Sequence, residues 1–146
     1  MDDVIDRIAR LRKIKERAAQ MEWMSADADR REQSETVEDL ERRLNDSRER
    51  MVGSDVLSMV SYYQYASRLE HRRRKEQSIL DELAEVAEEK MDEVREKSLE
   101  RQIMETIAEH RQEERRMEEK RTENNVLSDH GSIRWLRIRK NKEESG

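Results

Sequence analysis

The chain has 146 residues, of which 46% are charged and 33% hydrophobic, with two Trp, three Tyr and no Phe. A compact globular core needs a larger share of bulky apolar side chains than this. Proline is absent, and the good helix formers Glu, Arg, Ala, Leu, Met and Lys are abundant. The composition therefore excludes an ordinary globular fold and predicts an all-α protein whose long helices pack along a narrow seam.

The charges are balanced and interleaved, with 31 basic and 36 acidic residues and a net charge of −5. This alternation is typical of solvated helix faces and is a poor signature for nucleic-acid binding. Cysteine is absent, which excludes disulfides and thiol catalysis. No apolar run reaches membrane-spanning length, and no secretory pattern opens the chain. We expect a cytoplasmic protein with no transmembrane segment and no nucleic-acid partner.

The first helix is predicted over residues 3–52. Its apolar stripe is expected to begin at Val4 and Ile8, to pass through a local stammer and to resume in a shifted register after a polar stretch over 27–35. The expected seam positions in the first stretch are Leu11, Ile14, Ala18, Met21, Ser25 and Ala28. Those in the second stretch are Val37, Leu40, Leu44, Ser47 and Met51. The pattern predicts a broken heptad seam.

A hairpin turn is predicted at Gly53, Ser54 and Asp55. Glycine adopts the left-handed conformation that ends a helix, and Ser or Asp accepts hydrogen bonds from the first free amides of the next helix. Such short connections join antiparallel neighbours. The alternative is one continuous rod through Gly53, at a cost of about 1 kcal/mol.

The second helix is predicted over 56–126, so the antiparallel coiled coil occupies residues 1–127. Its seam is expected to run from Met59 and Tyr62 to Val94, including the charged Arg73 and Glu76, and then to shift to Leu99, Ile103 and Ile107. Residues 109–126 would extend beyond the partner helix. Asp129–Ser132 reads as a turn, and 128–146 is predicted to be a flexible basic tail containing Trp135. The alternative is that the basic, apolar segment 133–140 forms a short amphipathic helix or an extended peptide that docks on a partner or an anionic surface.

Catalytic chemistry has little support in this sequence. His71, His110 and His130 are far apart and have no neighbours at metal-ligand spacing. No glycine-rich phosphate loop is present, and a thin coiled coil offers no pocket that could desolvate a substrate. We expect no enzyme, no metal and no cofactor.

All three tyrosines, Tyr62, Tyr63 and Tyr65, follow the predicted turn. Tyr65, Leu69 and Arg72 form an i, i+4, i+7 row, which is the kind of helix face that fits a partner's groove. The alternative is that the tyrosines pad the loop end of the hairpin.

The segment Ser61–Glu70 resembles the Y-x-x-[FY]-x-x-x-L-E stretch that opens the second helix of FliJ, the flagellar type III export protein. The YscO-type proteins of virulence systems are similar. The resemblance implies an antiparallel two-helix stalk at the centre of the hexameric export ATPase, peripherally associated with the inner-membrane export apparatus. It also implies contact with the cytoplasmic domain of the export gate and with export chaperones.

The resemblance assigns roles to individual residues. The gate-binding face would be Tyr65, Leu69, Arg72 and Glu76. The contacts with the ATPase ring would be Ile8, Leu11, Ile14, Ile107, Arg111 and Met117.

Three other functions stay open. The chain could be the stalk of a virulence secretion system, a homodimeric coiled-coil scaffold unrelated to export, or a nucleic-acid binder using Arg72–Lys75 and the basic tail. An intramolecular hairpin is expected to be monomeric when isolated, whereas a continuous rod would be a dimer.

Overall fold

A computed structural model describes residues 4–145, and the predicted start of the first helix at residue 3 lies outside them. Helix α1 is Val4–Met51 and helix α2 is Val56–Glu144, and no strand occurs among the described residues. The two long helices pack against each other, which confirms the predicted helical hairpin.

The turn lies at the glycine that the sequence indicated. Gly53 has φ +82°, in the left-handed region that glycine adopts without strain. The Ser54 hydroxyl lies 3.0 Å from the carbonyl oxygen of Met51, at the end of α1. The carboxylate of Asp55 accepts a hydrogen bond from the Ser58 amide at 2.8 Å and so caps the start of α2. Hydrogen bonds from the side chain and from the backbone amide of Ser58 lower the pKa of Asp55.

The chain divides into two compact units. One is Arg10–Arg101, and the other combines Met1–Ala9 with Gln102–Gly146. Within Arg10–Arg101 the helices run antiparallel, because residues with increasing numbers along α1 contact residues with decreasing numbers along α2. Arg12 pairs with Glu100 at 2.7 Å, Glu22 with Lys90 at 3.3 Å, and Glu41 with Arg73 at 3.9 Å.

The packed face of α1 in this unit follows an unbroken heptad. Every position on it is buried or half-buried, and the spacing alternates between three and four residues throughout. These positions are Arg12, Glu16, Ala19, Trp23, Ala26, Arg30, Gln33, Val37, Leu40, Leu44, Ser47 and Met51.

Helix α2 follows the same rule in this unit. Its positions on the packed face are also buried or half-buried without interruption: Tyr62, Ala66, Leu69, Arg73, Glu76, Leu80, Leu83, Ala87, Lys90, Val94, Lys97 and Arg101. The prediction for α2 is confirmed from Tyr62 to Val94, including Arg73 and Glu76 as seam positions. It was wrong at Met59, which is 40% exposed.

The predicted seam was wrong over residues 11–28 of α1. Leu11, Ile14 and Met21 are 49%, 62% and 72% exposed, and Ala18, Ser25 and Ala28 are also exposed. The stammer is absent because α1 keeps one register over its packed face, and changing faces would require a local change in winding. The interior positions here are instead polar or small, apart from the half-buried Trp23.

The predicted shift near residue 99 was also wrong. Leu99 is exposed, and the half-buried positions beside it are Lys97 and Arg101. In the other unit, Ile103 and Ile107 are exposed, whereas Met104 and Ala108 are half-buried. The register of α2 again continues without a shift.

The best-buried part of the core lies close to the turn. Leu40, Leu44 and Leu69 are 2%, 5% and 7% exposed, and Ala66 packs against them. Burying a leucine side chain contributes about 2 kcal/mol, whereas an exposed ion pair contributes about 0 to 1 kcal/mol. This leucine cluster therefore outweighs any single ion pair in fixing how the two helices face each other.

The unit that contains the C-terminal region is mostly solvated. Every residue from 109 to 145 is exposed. The turn predicted at Asp129–Ser132 is not formed, and α2 remains helical to Glu144 rather than ending near 126. Gly131 costs a helix only about 1 kcal/mol, and no proline follows to stop it. The Arg139 guanidinium lies 5.3 Å from the centre of the Trp135 ring, one helical turn away.

An acidic side chain near the leucine cluster is tightly paired. Glu70 accepts hydrogen bonds from Arg73 at 2.9 Å and from Arg74 at 3.3 Å. Chiefly through the bond from Arg73, these arginines lower the pKa of Glu70 from 4.5 to about 2. Because folding lowers this pKa, ionised Glu70 adds to the free energy of unfolding, and the addition is complete above pH 4.5. It is lost as the pH falls through 2.

We predict that a carbon-detected NMR titration of the Glu70 carboxylate will have its midpoint near pH 2. In the Arg73→Gln variant the midpoint should rise toward the ordinary glutamate value, because the largest stabilising partner is removed. Arg74→Gln is the matched control and should move it less. A wild-type midpoint near 4.5 would contradict the pairing.

Candidate functional site

The row proposed from the sequence as a gate-binding face does not form one surface. Leu69 is buried against Leu40 and Leu44, so its side chain belongs to the core. Glu76 is half-buried and faces α1, where the Gln33 side-chain amide donates to its carboxylate and, at 2.9 Å, to its backbone carbonyl. Tyr65 and Arg72 are exposed. The structure thus separates the two inner residues of the row from the two outer ones.

A different exposed row includes the two outer residues. Tyr65, Arg72, Ile79 and Val86 follow one another at intervals of seven residues along α2. Seven residues fall only about 20° short of two full turns, so these side chains lie along one edge of the helix. Tyr65, Ile79 and Val86 are 46%, 44% and 42% exposed. We name these four residues the α2 row.

The arginines of the basic run Arg72–Lys75 differ in their burial and in their ion pairs. Arg73 is half-buried and pairs with Glu70 and Glu41, and Arg74 pairs with Glu70. Arg72 forms no ion pair within residues 4–145. Arg72 is therefore the arginine of this run that remains available to a partner at the α2 row.

The tyrosines occupy different flanks of the hairpin. Tyr65 lines a shallow groove of about 250 Å³ with Tyr62 and with Arg43, Asp46, Ser47 and Arg50 of α1. Tyr63 lines a separate groove of about 470 Å³, bounded on α1 by Leu44, Arg48 and Met51. Tyr62 is half-buried, and its carbonyl oxygen lies 3.5 Å from the Ser47 hydroxyl. One tyrosine therefore packs and the other two serve separate surfaces.

The residues assigned to the ATPase ring are divided between the two units. Leu11 and Ile14 are exposed on the outer side of α1 in Arg10–Arg101. In the other unit, Ile8 is half-buried, and Ile107, Arg111 and Met117 are exposed. There Arg111 lines a cleft of about 110 Å³ together with Ile5, Asp6, Ala108, Gln112 and Arg115.

Sequence reasoning missed Ile79 and Val86. The available signal was the seven-residue spacing that continues from Tyr65 and Arg72. Leu80 and Ala87, which follow them directly, lie on the packed face, so apolar content alone does not separate the two pairs.

The described residues lack two other kinds of site. Among residues 4–145, no group of three or more His, Asp or Glu side chains is arranged to hold a metal ion. The described helices likewise include no stretch long and apolar enough to cross a membrane.

Comparison with protein families gives one match. Residues 1–140 match the family described as "Flagellar FliJ protein". Comparison with curated proteins and with solved structures gave no match. Because the family match covers nearly the whole sequence and agrees with the helical hairpin, this chain belongs to the FliJ family.

Proposed function

We propose that this chain is the central stalk of the export ATPase ring in a flagellar type III export apparatus. The observation that carries the proposal is the FliJ family match over residues 1–140, since association with flagellar export follows from that membership. The finer role is supported by the hairpin itself, whose length of paired helix suits a rod held inside a ring. We place its action at the cytoplasmic face of the inner membrane, without catalysis of its own.

A rod can couple the subunits of a ring when its faces differ, because each subunit then meets a different surface. The faces of the Arg10–Arg101 unit differ in this way. The outer side of α1 exposes Leu11 and Ile14, while the α2 row exposes Tyr65, Arg72 and two aliphatic side chains. We assign the first surface to the ATPase.

We assign the α2 row to the cytoplasmic domain of the export gate. Tyr65 and Arg72 retain the role that the resemblance implied, and Ile79 and Val86 extend their surface. Leu69 and Glu76 hold α2 in place against α1 and so act from inside the hairpin. Export chaperones are proposed partners without an assigned surface.

The ATPase assignment is tested with purified export ATPase. Adding this chain should promote ring assembly and raise the rate of ATP hydrolysis. The double variant Leu11→Glu, Ile14→Glu should bind at least about tenfold more weakly, since losing two apolar anchors costs more than 1.4 kcal/mol. Leu57→Glu is the matched control, because Leu57 is 81% exposed beside the turn. An ATPase whose assembly and activity ignore the chain would overturn the stalk proposal.

The gate assignment is tested by comparing two tyrosines. The double variant Tyr65→Ala, Ile79→Ala should keep its helicity and bind the gate domain roughly tenfold more weakly. Tyr63→Ala, on the other flank, should bind as the wild type does. Leu69→Ala should instead lower the free energy of unfolding by about 2 kcal/mol. Equal binding by the Tyr65 and Tyr63 variants, measured by calorimetry, would refute the α2 row as the gate contact.

A further inference from the structure

The outer side of α1 carries an apolar stripe that the hairpin does not use. The outer stripe consists of Leu11, Ile14, Ala18, Met21, Ser25 and Ala28, all exposed. Its spacing alternates between three and four residues, which is the pattern of a coiled-coil seam. Helix α1 therefore presents two heptad faces over this stretch. The more polar one packs against α2, and the more apolar one is left in solvent.

The sizes of the side chains change along the stripe. Leu11 and Ile14 are large and stand at its N-terminal end, whereas Ser25 and Ala28 are small and stand at its C-terminal end. If a second copy of the stripe packed in the same direction, large would meet large and small would meet small. In the opposite direction each layer pairs a large residue with a small one, which fills the space between helices evenly.

We propose that a second copy of this chain packs on the outer stripe in antiparallel orientation, with residue i opposite residue 39−i. This register places Leu11 opposite Ala28, Ile14 opposite Ser25, and Ala18 opposite Met21 of the second copy.

The charges favour the same orientation independently of size. The exposed residues among 10–17 include four basic residues and no acidic residue: Arg10, Lys13, Lys15 and Arg17. The exposed residues among 22–29, which the register places opposite them, include two acidic residues and no basic residue: Glu22 and Asp29. Arg12, Glu16 and Asp27 are buried or half-buried and pair within the hairpin. Antiparallel packing thus brings opposite charges together at both ends, whereas parallel packing brings like charges together.

One flanking pair illustrates this complementarity. Lys15 forms no ion pair within residues 4–145, and the register brings it beside Glu22 of the second copy. Within the hairpin Glu22 contacts Lys90 at 3.3 Å and is itself exposed. The carboxylate of Glu22 can therefore pair with Lys15 of the second copy while it remains paired with Lys90 of its own chain.

The stripe is short, so the dimer is weak and reversible. Residues 11–28 span about 27 Å of helix, and a contact of that length lies at the low end of interface sizes. The hairpin is thus monomeric when dilute and pairs as its concentration rises. If Leu11 and Ile14 bind the ATPase as proposed above, the dimer hides that surface until a ring displaces the second copy.

The register is tested by disulfide trapping, because the chain has no cysteine of its own. Ile14→Cys and Ser25→Cys chains of different mass are mixed and mildly oxidised at high concentration. The mixed 14–25 disulfide should form, and neither variant should crosslink to itself. In the proposed register, residue 14 and its copy lie about 16 Å apart along the axis, beyond the limit of about 7 Å for a disulfide. Self-crosslinking of each variant would indicate parallel pairing and overturn the proposal.

Sedimentation equilibrium of the chain alone tests the surface without any export component. The wild type should show a mass that rises from one chain toward two with concentration, and Met21→Glu should abolish the rise. Met117→Glu is the matched control, since Met117 is also exposed but lies outside the stripe. A wild type that stays monomeric at all concentrations, or a Met21→Glu chain that still dimerises, would overturn the proposal and leave the ATPase assignment untouched.

Discussion

The packing of Leu40 and Leu44 against Leu69 is the interaction on which the rest of this hairpin depends. Each buried leucine contributes about 2 kcal/mol, more than any exposed ion pair along the seam, so the cluster near the turn fixes which face each helix turns inward. Both helices then keep that register. Over residues 11–28 this continuous register places the polar side chains of Arg12 and Glu16 in the seam.

The charged positions of that seam are stabilised by pairing across the two helices. Glu16 pairs with Arg101 and Arg12 with Glu100, so the half-buried charges have partners across the helices. Such pairs contribute little individually, but leaving one member unpaired in the seam would be costly. The ion pairs therefore follow the register that the leucines set. As a consequence, the apolar side chains that could have formed a core lie outside, where they can bind other chains.

The sequence predicted the hairpin because its signals are local. Composition indicated long helices, and Gly53 followed by Asp55 marks a helix end and a cap. The face used over residues 11–28 could not be predicted, because two heptads overlap there and apolar content favours the wrong one. The choice is made some twenty residues away, at the leucine cluster. The continuous helix beyond Asn125 could not be predicted, because Gly131 and its polar neighbours are typical of a turn, whereas the absence of proline only permits a helix.

The central claim is that α1 packs through its more polar heptad, and two adjacent alanines test it most directly. Ala19 is 8% exposed, while Ala18 lies on the outer stripe. Single variants Ala18→Cys and Ala19→Cys would be labelled with a maleimide at concentrations too low for self-association. The structure predicts that the thiol at position 18 reacts as a free thiol does and that the thiol at position 19 reacts roughly tenfold or more slowly, in line with opening by at least about 1.4 kcal/mol. Equal rates, or faster labelling at 19, would contradict it.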